Sequence, residues 1–262
     1  MKHCFAICAY GDSPYLESCL KSLKGQTVSG DIILCTSTPS DYIRALAAKY
    51  EVPVFVRTEG EPGIANDWNF AYANADAELV TLAHQDDMYA RDYVREAIKA
   101  AKEFPDMTVF TTASVSVKGD RLVEYGGIEI IKKLLRIPLR FGSRKGALRF
   151  GNPIICPSCC YVKKLCGDNL FDPRYKFVLD WDALWRLAEK PGRFVCVERP
   201  LMMYRVHSDT ATGEAIRDHT RAREESEMFD RTLPAWLAAP VKKLYQKSYT
   251  AYEEEEHGKE SS

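Results

Sequence analysis

The chain has 262 residues, room for one large domain or two small ones. Hydrophobic residues make up 46% and charged residues 28%, the balance of an ordinary globular protein, which excludes a disordered or fibrous chain. Lys and Arg number 36 against 37 Asp and Glu, so bulk charge gives no ground for nucleic-acid binding. No run approaches the roughly 18 apolar residues of a bilayer span.

The start, MKHCFAICAYGDS, reaches Gly11 and Asp12 after a short apolar stretch and has no small-residue cleavage site, which argues against a signal peptide. Nine scattered cysteines, an odd count, argue against a secreted disulfide framework and for a reducing, cytosolic compartment. The CPSCC cluster at Cys156, Cys159 and Cys160 has C-x-x-C spacing without a matching second pair. Buried strand thiols are therefore expected there rather than a zinc site.

In chain order, residues 3–9 read as a strand. Leu16, Cys19, Leu20 and Leu23 recur at helical spacing between Pro14 and Gly25, start and stop signals for a helix. Strands are expected at 31–37, 52–57 and 78–84, and helices at 41–50, 63–75 and 90–104. This alternation predicts an α/β fold, a Rossmann-like and mostly parallel sheet with helices on both faces and ligands beyond the strands' C-terminal ends. From residue 107 the pattern changes to a mixed region. A hairpin of 107–117 and 121–128 turns at Gly119-Asp120, strands follow at 153–162 and 193–198, and 178–190 is a helix. Residues 201–207 read as a last apolar strand or loop and 214–231 as a charged helix, before a frayed acidic tail. One domain is expected over 1–212, with a nucleotide-binding half to about 106 and an acceptor half after it, followed by a helical extension at 213–262.

Four segments could carry chemistry. In AHQDDMY (83–89), polar and acidic residues end a strand, where Asp86 and Asp87 either hold a divalent cation beside a phosphate or cap the next helix. In GIANDWNFAY (63–72), Asn66 and Asn69 lie near a helix N-terminus, either solvated or supporting a diphosphate. In VLDWDALWRL, Asp180 and Asp182 flank an apolar stripe about 200° apart, so one faces the reaction centre while the other pairs with a cation or faces water. Asp180 lies at the helix start, where it can cap and where the helix field lowers a carboxylate's pKa. In YRVHSDTAT (204–212), Arg205 matches phosphate oxygens as a bidentate clamp, and His207 is either a satisfied residue or a ligand. Residues 132–149 add seven cations, no acid and several large apolar residues, a surface for an anionic acceptor or an anionic membrane, if not simply a solvated face. Pro240 interrupts the apolar, then basic, stretch 233–249, which excludes a long membrane helix.

The order of these segments, with SCLKSLKGQT (18–27) between the first strand and GIANDWN, resembles the family 2 glycosyltransferases over roughly residues 3–212. The resemblance implies a GT-A fold and inverting transfer from a nucleotide sugar, dependent on Mn2+ or Mg2+, to a glycan or lipid-linked acceptor. It places Ala9, Tyr10 and Asp12 at the base and ribose of the donor. Thr36 and Ser37 stand where acidic residues are common in the family, so Ser37 is expected against the donor. Asn66 and Asn69 fall beside the donor. His84-Gln85-Asp86 takes the Asp-x-Asp position, with Asp86 as metal ligand and His84 in place of the first carboxylate. Asp180 takes the position of the catalytic base, and His207 that of a His that completes the metal shell or contacts the diphosphate. Two other readings remain at this stage: a sugar-nucleotide-binding protein without turnover, and a sugar-1-phosphate nucleotidylyltransferase. The second lacks its Gly-rich phosphate loop, and a dehydrogenase lacks G-x-G-x-x-G.

Overall fold

The computed structural model describes residues 1–119, 121–123, 126–206, 219–243 and 245. Strand β1 (His3–Ala9), helix α1 (Leu16–Lys24), β2 (Asp31–Thr36), α2 (Asp41–Lys49), β3 (Val54–Val56), α3 (Ile64–Asn74) and β4 (Leu79–His84) follow the expected alternation. After them come the two-residue β5 (Met88–Tyr89) and α4 (Tyr93–Glu103). β1 pairs in parallel with β2 and β4, and β2 with β3. Alternate residues of β1 enter opposite cores, which is why the strand reads as an unbroken apolar run. Phe5 and Ile7 pack on α1, α2 and α4, whereas Cys4 and Ala6 face the core shared with α3.

The second half is mixed, as the change of pattern indicates. β6 (Met107–Lys118) pairs antiparallel with β7 (Arg121–Val123) in the expected hairpin, but the chain then enters α5 (Gly126–Arg140) and α6 (Arg144–Leu148). The stretch 153–162 is largely not a strand. A 3-10 turn at Cys156–Ser158 precedes a short β8 (Cys160–Val162), because Pro153 and Pro157 have no N–H to give a ladder. α7 (Lys163–Cys166) and α8 (Leu179–Glu189) follow. The two expected strands at 193–198 and 201–207 are one, β9 (Arg193–Arg205), which passes Pro200 through a register shift against Ala113. α9 (Thr220–Thr232) ends the elements used below.

The nine strands form one sheet in the order β3-β2-β1-β4-β8-β6-β9-β5, with β7 on β6. β8 runs antiparallel to both β4 and β6, and so joins the parallel half to the mixed half. All nine cysteines are free and seven of them are buried, Cys159 and Cys160 completely.

Candidate active site

Register places the key strand ends side by side: Ala9 pairs with Thr36, and Cys8 with His84. This is the C-terminal edge of the parallel strands, where open α/β sheets bind ligands. The loop after β4 is strapped from several sides. Gln26 at the end of α1 donates to the Ala90 carbonyl (2.9 Å) and accepts the Val94 N–H (3.1 Å), and the Tyr89 N–H donates to Ser22 Oγ (3.1 Å). The QT-ended helix thus holds the His84–Asp87 turn against the start of α4.

Within that turn the four polar residues have different surroundings. Gln85 accepts the Tyr10 N–H (3.1 Å) and donates to the Tyr10 carbonyl (2.8 Å), extending β1 like a paired strand. Its amide therefore positions Tyr10. Asp86 is half-buried and accepts the Ser13 hydroxyl at 2.5 Å. Asp87 is 2% exposed and accepts the Arg205 N–H (2.9 Å), while its Oδ2 has no hydrogen-bond partner. Burial pushes the Asp87 carboxyl up to about 8, against the opposing Arg205 N–H. Of the two acids only Asp86 is open to an arriving cation.

His84 stacks on Trp68 (ring centroids 4.9 Å apart), and burial holds its imidazole down to about 4. It is neutral at neutral pH, so its 3.9 Å approach to Asp87 is no ion pair. Its Nε2 is buried without a hydrogen-bond partner.

Tyr10 is 68% exposed on the rim, next to Gly11 at φ +61°, whose N–H donates to Thr38 Oγ1 (2.7 Å). Asp12 accepts from Ser40 Oγ at 2.5 Å, the residue that also caps α2. Ser37 donates to Asp67 Oδ2 (3.2 Å), and Arg57 Nε holds Oδ1 (2.8 Å). A carboxylate thus stands beside Ser37 after all, supplied by α3 rather than by β2. It lay inside the GIANDWN motif, where the asparagines drew the attention instead.

Three expected donor contacts are placed otherwise. Asn69 donates to the Phe171 carbonyl (2.8 Å) and accepts its N–H (2.9 Å), stapling α3 to the loop before α8. Asn66 donates to the Glu61 carbonyl (2.9 Å). Arg205 is 9% exposed; it donates to the carbonyls of Asp86 (3.1 Å) and Gly119 (3.3 Å) and lies over the Tyr15 ring. With these bonds it braces the acidic turn. His207 lies outside the described residues.

Across the edge, α8 presents Asp180, which accepts from Asn152 Nδ2 (2.9 Å) and the Trp181 N–H (2.7 Å). Burial outweighs these bonds and raises its carboxyl to about 6. The expected lowering by the helix start is thereby overturned. Asp182 is fully buried between Arg186 (2.7 Å) and Arg231 (2.6 Å), the cation-paired partner of the DWD pattern. The buried Cys156 thiol feels the charges of both Asp180 and Asp87, so this side chain lies between α8 and the acidic turn. Asn152 and Glu224 escaped the sequence reading. Glu224 accepts the N–H groups of Lys176, Phe177 and Val178 (2.8–3.2 Å) and so anchors the entrance of α8 from α9.

Among the described residues no three His, Cys, Asp or Glu side chains group as a metal site. The reachable Asp86 carboxylate fits a cation that takes one protein ligand and completes its shell with oxygens of a bound phosphate.

The sequence profile of glycosyl transferase family 2 matches residues 4–165. No curated protein sequence matches the chain. Among solved structures, S. aureus TarS 1–349 in complex with UDP-GlcNAc superposes with a TM-score of 0.64 at 16% identity, over 87% of this chain and 66% of that one. Mannosyltransferase PcManGT from Pyrobaculum calidifontis, in complex with GDP-Man and Mn2+, gives 0.65 at 16%, over 88% and 63%. Glucosyl-3-phosphoglycerate synthase from Mycobacterium tuberculosis, in complex with phosphoglyceric acid, gives 0.59 at 13%, over 89% and 81%. At these identities the likeness is one of fold, the GT-A arrangement. The chain spans just under two thirds of the length of the first two.

Proposed function

The chain belongs to glycosyl transferase family 2, and on that premise we propose that it transfers a sugar, with inversion, from a nucleoside diphosphate sugar to a hydroxyl of a glycan or lipid-linked acceptor. The observation that carries this reading is the pairing of two carboxylates held in different environments. A half-buried carboxylate at Asp180 is raised to about 6, close to neutral pH, and a half-buried carboxylate at Asp86 stands on a braced strand-end turn. A general base works best with a pKa near the operating pH.

In the reaction, Asp180 accepts the proton of the acceptor hydroxyl as its oxygen bonds to the anomeric carbon. The bond from that carbon to the diphosphate oxygen breaks on the opposite face, and the nucleoside diphosphate leaves with the electron pair. One displacement inverts the anomeric configuration. Asn152 keeps the base oriented, and Tyr10, Asp12 and Ser37, on the loops after β1 and β2, border the place of the base and ribose. Asp86, together with the donor's own phosphate oxygens, would hold Mn2+ or Mg2+, which when bound neutralises charge developing on the leaving diphosphate. His207 belongs to the same proposal as a further ligand. No helix among the described residues is long and apolar enough to cross a membrane. A cytoplasmic setting, peripheral at the inner membrane face, fits the nine free thiols.

Incubation with a panel of sugar nucleotides and Mn2+ or Mg2+ tests the reading. Slow release of free sugar and nucleoside diphosphate, accelerated by an acceptor, supports transfer. Donor binding without turnover, with acceptors present, makes the chain a binding module. Pyrophosphate release from a nucleoside triphosphate makes it a nucleotidylyltransferase.

A further inference from the structure

Helix α5 presents an apolar stripe to solvent. At about 100° per residue, Ile130, Leu134 and Ile137 fall within roughly 60° of one another, and this stripe faces outward. Their exposures are 61%, 58% and 40%, and Phe141 just past the helix end is 80% exposed. The opposite face buries Leu139 in the core and a cation beside it: Arg136 is 5% exposed, bonded to both carboxylate oxygens of Glu198 on β9 (3.0 and 3.3 Å) and to the Pro153 carbonyl (3.2 Å). A helix that buries its arginine and presents isoleucine, leucine and phenylalanine has its apolar stripe on the side away from the protein core.

One rim of the stripe is basic. Lys133 and Arg140 line that rim and are exposed, as is Arg149 beyond α6. The whole of 132–149 holds seven cations and no acidic residue. Apolar stripe with cationic margins is the surface that lies in the interface of an anionic bilayer. An anionic bilayer offers acyl chains to the stripe and headgroup phosphates to the cations on its rim. We propose that α5, ending at Phe141, docks this protein on anionic lipid, with Phe141 and Leu134 entering the acyl boundary and Lys133 and Arg140 meeting headgroup phosphates. The docking rests on the surface and not on the transfer reading.

Co-sedimentation of the full chain with vesicles checks this without any turnover. The chain should pellet with phosphatidylglycerol vesicles at low salt, be released at high salt, and stay in solution with pure phosphatidylcholine. The double variant Lys133→Glu/Arg140→Glu should weaken binding by about tenfold or more. Leu134→Ser/Phe141→Ser should weaken it at every salt concentration, and both variants should melt at the wild-type temperature because these side chains are exposed. Equal pelleting of wild type and variants, or equal binding to both lipids, overturns the proposal. So does a lipid-free dimer, seen by light scattering, that Phe141→Ser dissociates, since the stripe then belongs to a second copy.

Discussion

Asp180 shows two opposed effects at one carboxyl. A helix N-terminus favours the charged form by about 0.3–1 kcal/mol, less than one pKa unit, while burial disfavours it by up to several units. Burial wins here, and the group titrates near 6. A base must be ionised to accept a proton, so kcat/KM should rise with pH through about 6 and level off above it. A flat profile across that range would remove Asp180 from the chemistry. Asp180→Asn should lower kcat by about 10²–10⁴ with donor affinity nearly unchanged. Because the folded carboxyl binds its proton more tightly than the unfolded one, Asp180 favours folding at low pH. That contribution is lost as pH rises from about 4 through 6. Asp180→Asn should therefore melt no lower than wild type at neutral pH, which separates lost chemistry from lost fold. The places of Asp180 and Asp86 in the fold were legible because each stands at an element end in a distinctive pattern. The protein partners of Gln85, Asn69 and Arg205 were not legible, because Tyr10, Phe171 and Gly119 lie 75, 102 and 86 positions away. A sequence shows that a polar side chain sits at a strand end, but not which backbone carbonyl the fold brings to meet it.

At the scale of elements, the first hundred residues were legible because both faces of a parallel sheet are covered. That forces long apolar strands to alternate with amphipathic helices, and both periods survive in the sequence. The mixed half carries weaker signals. β8 has only three residues, and β9 crosses a proline that reads as a break but sits at a bulge. The anchoring of α8 was invisible for another reason: it comes from α9, whose charged sequence reads as a solvated helix. Glu224 there is 3% exposed and accepts three backbone N–H groups just before Asp180. Glu224→Ala leaves those donors buried and unmet, and should destabilise the fold by roughly 2–4 kcal/mol in urea titration. Glu224→Gln, which keeps one acceptor oxygen, should cost less and lower kcat more than it raises KM, since it loosens the base rather than the donor loops. Wild-type stability in Glu224→Ala would show that water satisfies these amides.

For the molecule as a whole, the proposed donor site joins four separate stretches of chain: the loops after β1, β2 and β4 and the start of α8. A ligand that spans them binds only the folded state, so its affinity adds to stability by mass action. At a hundredfold excess over Kd the gain is about 2.7 kcal/mol. For a domain of this size each kcal/mol moves Tm by about 2–4 °C, so the matching nucleotide sugar should raise Tm by roughly 5–10 °C. The identity of the donor that does so reads out the base and sugar that the pocket accepts. If Asp86 holds a cation together with the donor phosphates, neither Mn2+ nor donor alone should give the full shift, and the two together should exceed their sum. Asp86→Ala should remove that excess while leaving the smaller, metal-free shift, because the contacts of Tyr10, Asp12 and Ser37 with base and ribose do not pass through it. An undiminished excess in Asp86→Ala would place the cation elsewhere, on ligands outside the described residues, and would leave Asp86 as the acceptor of the Ser13 hydroxyl.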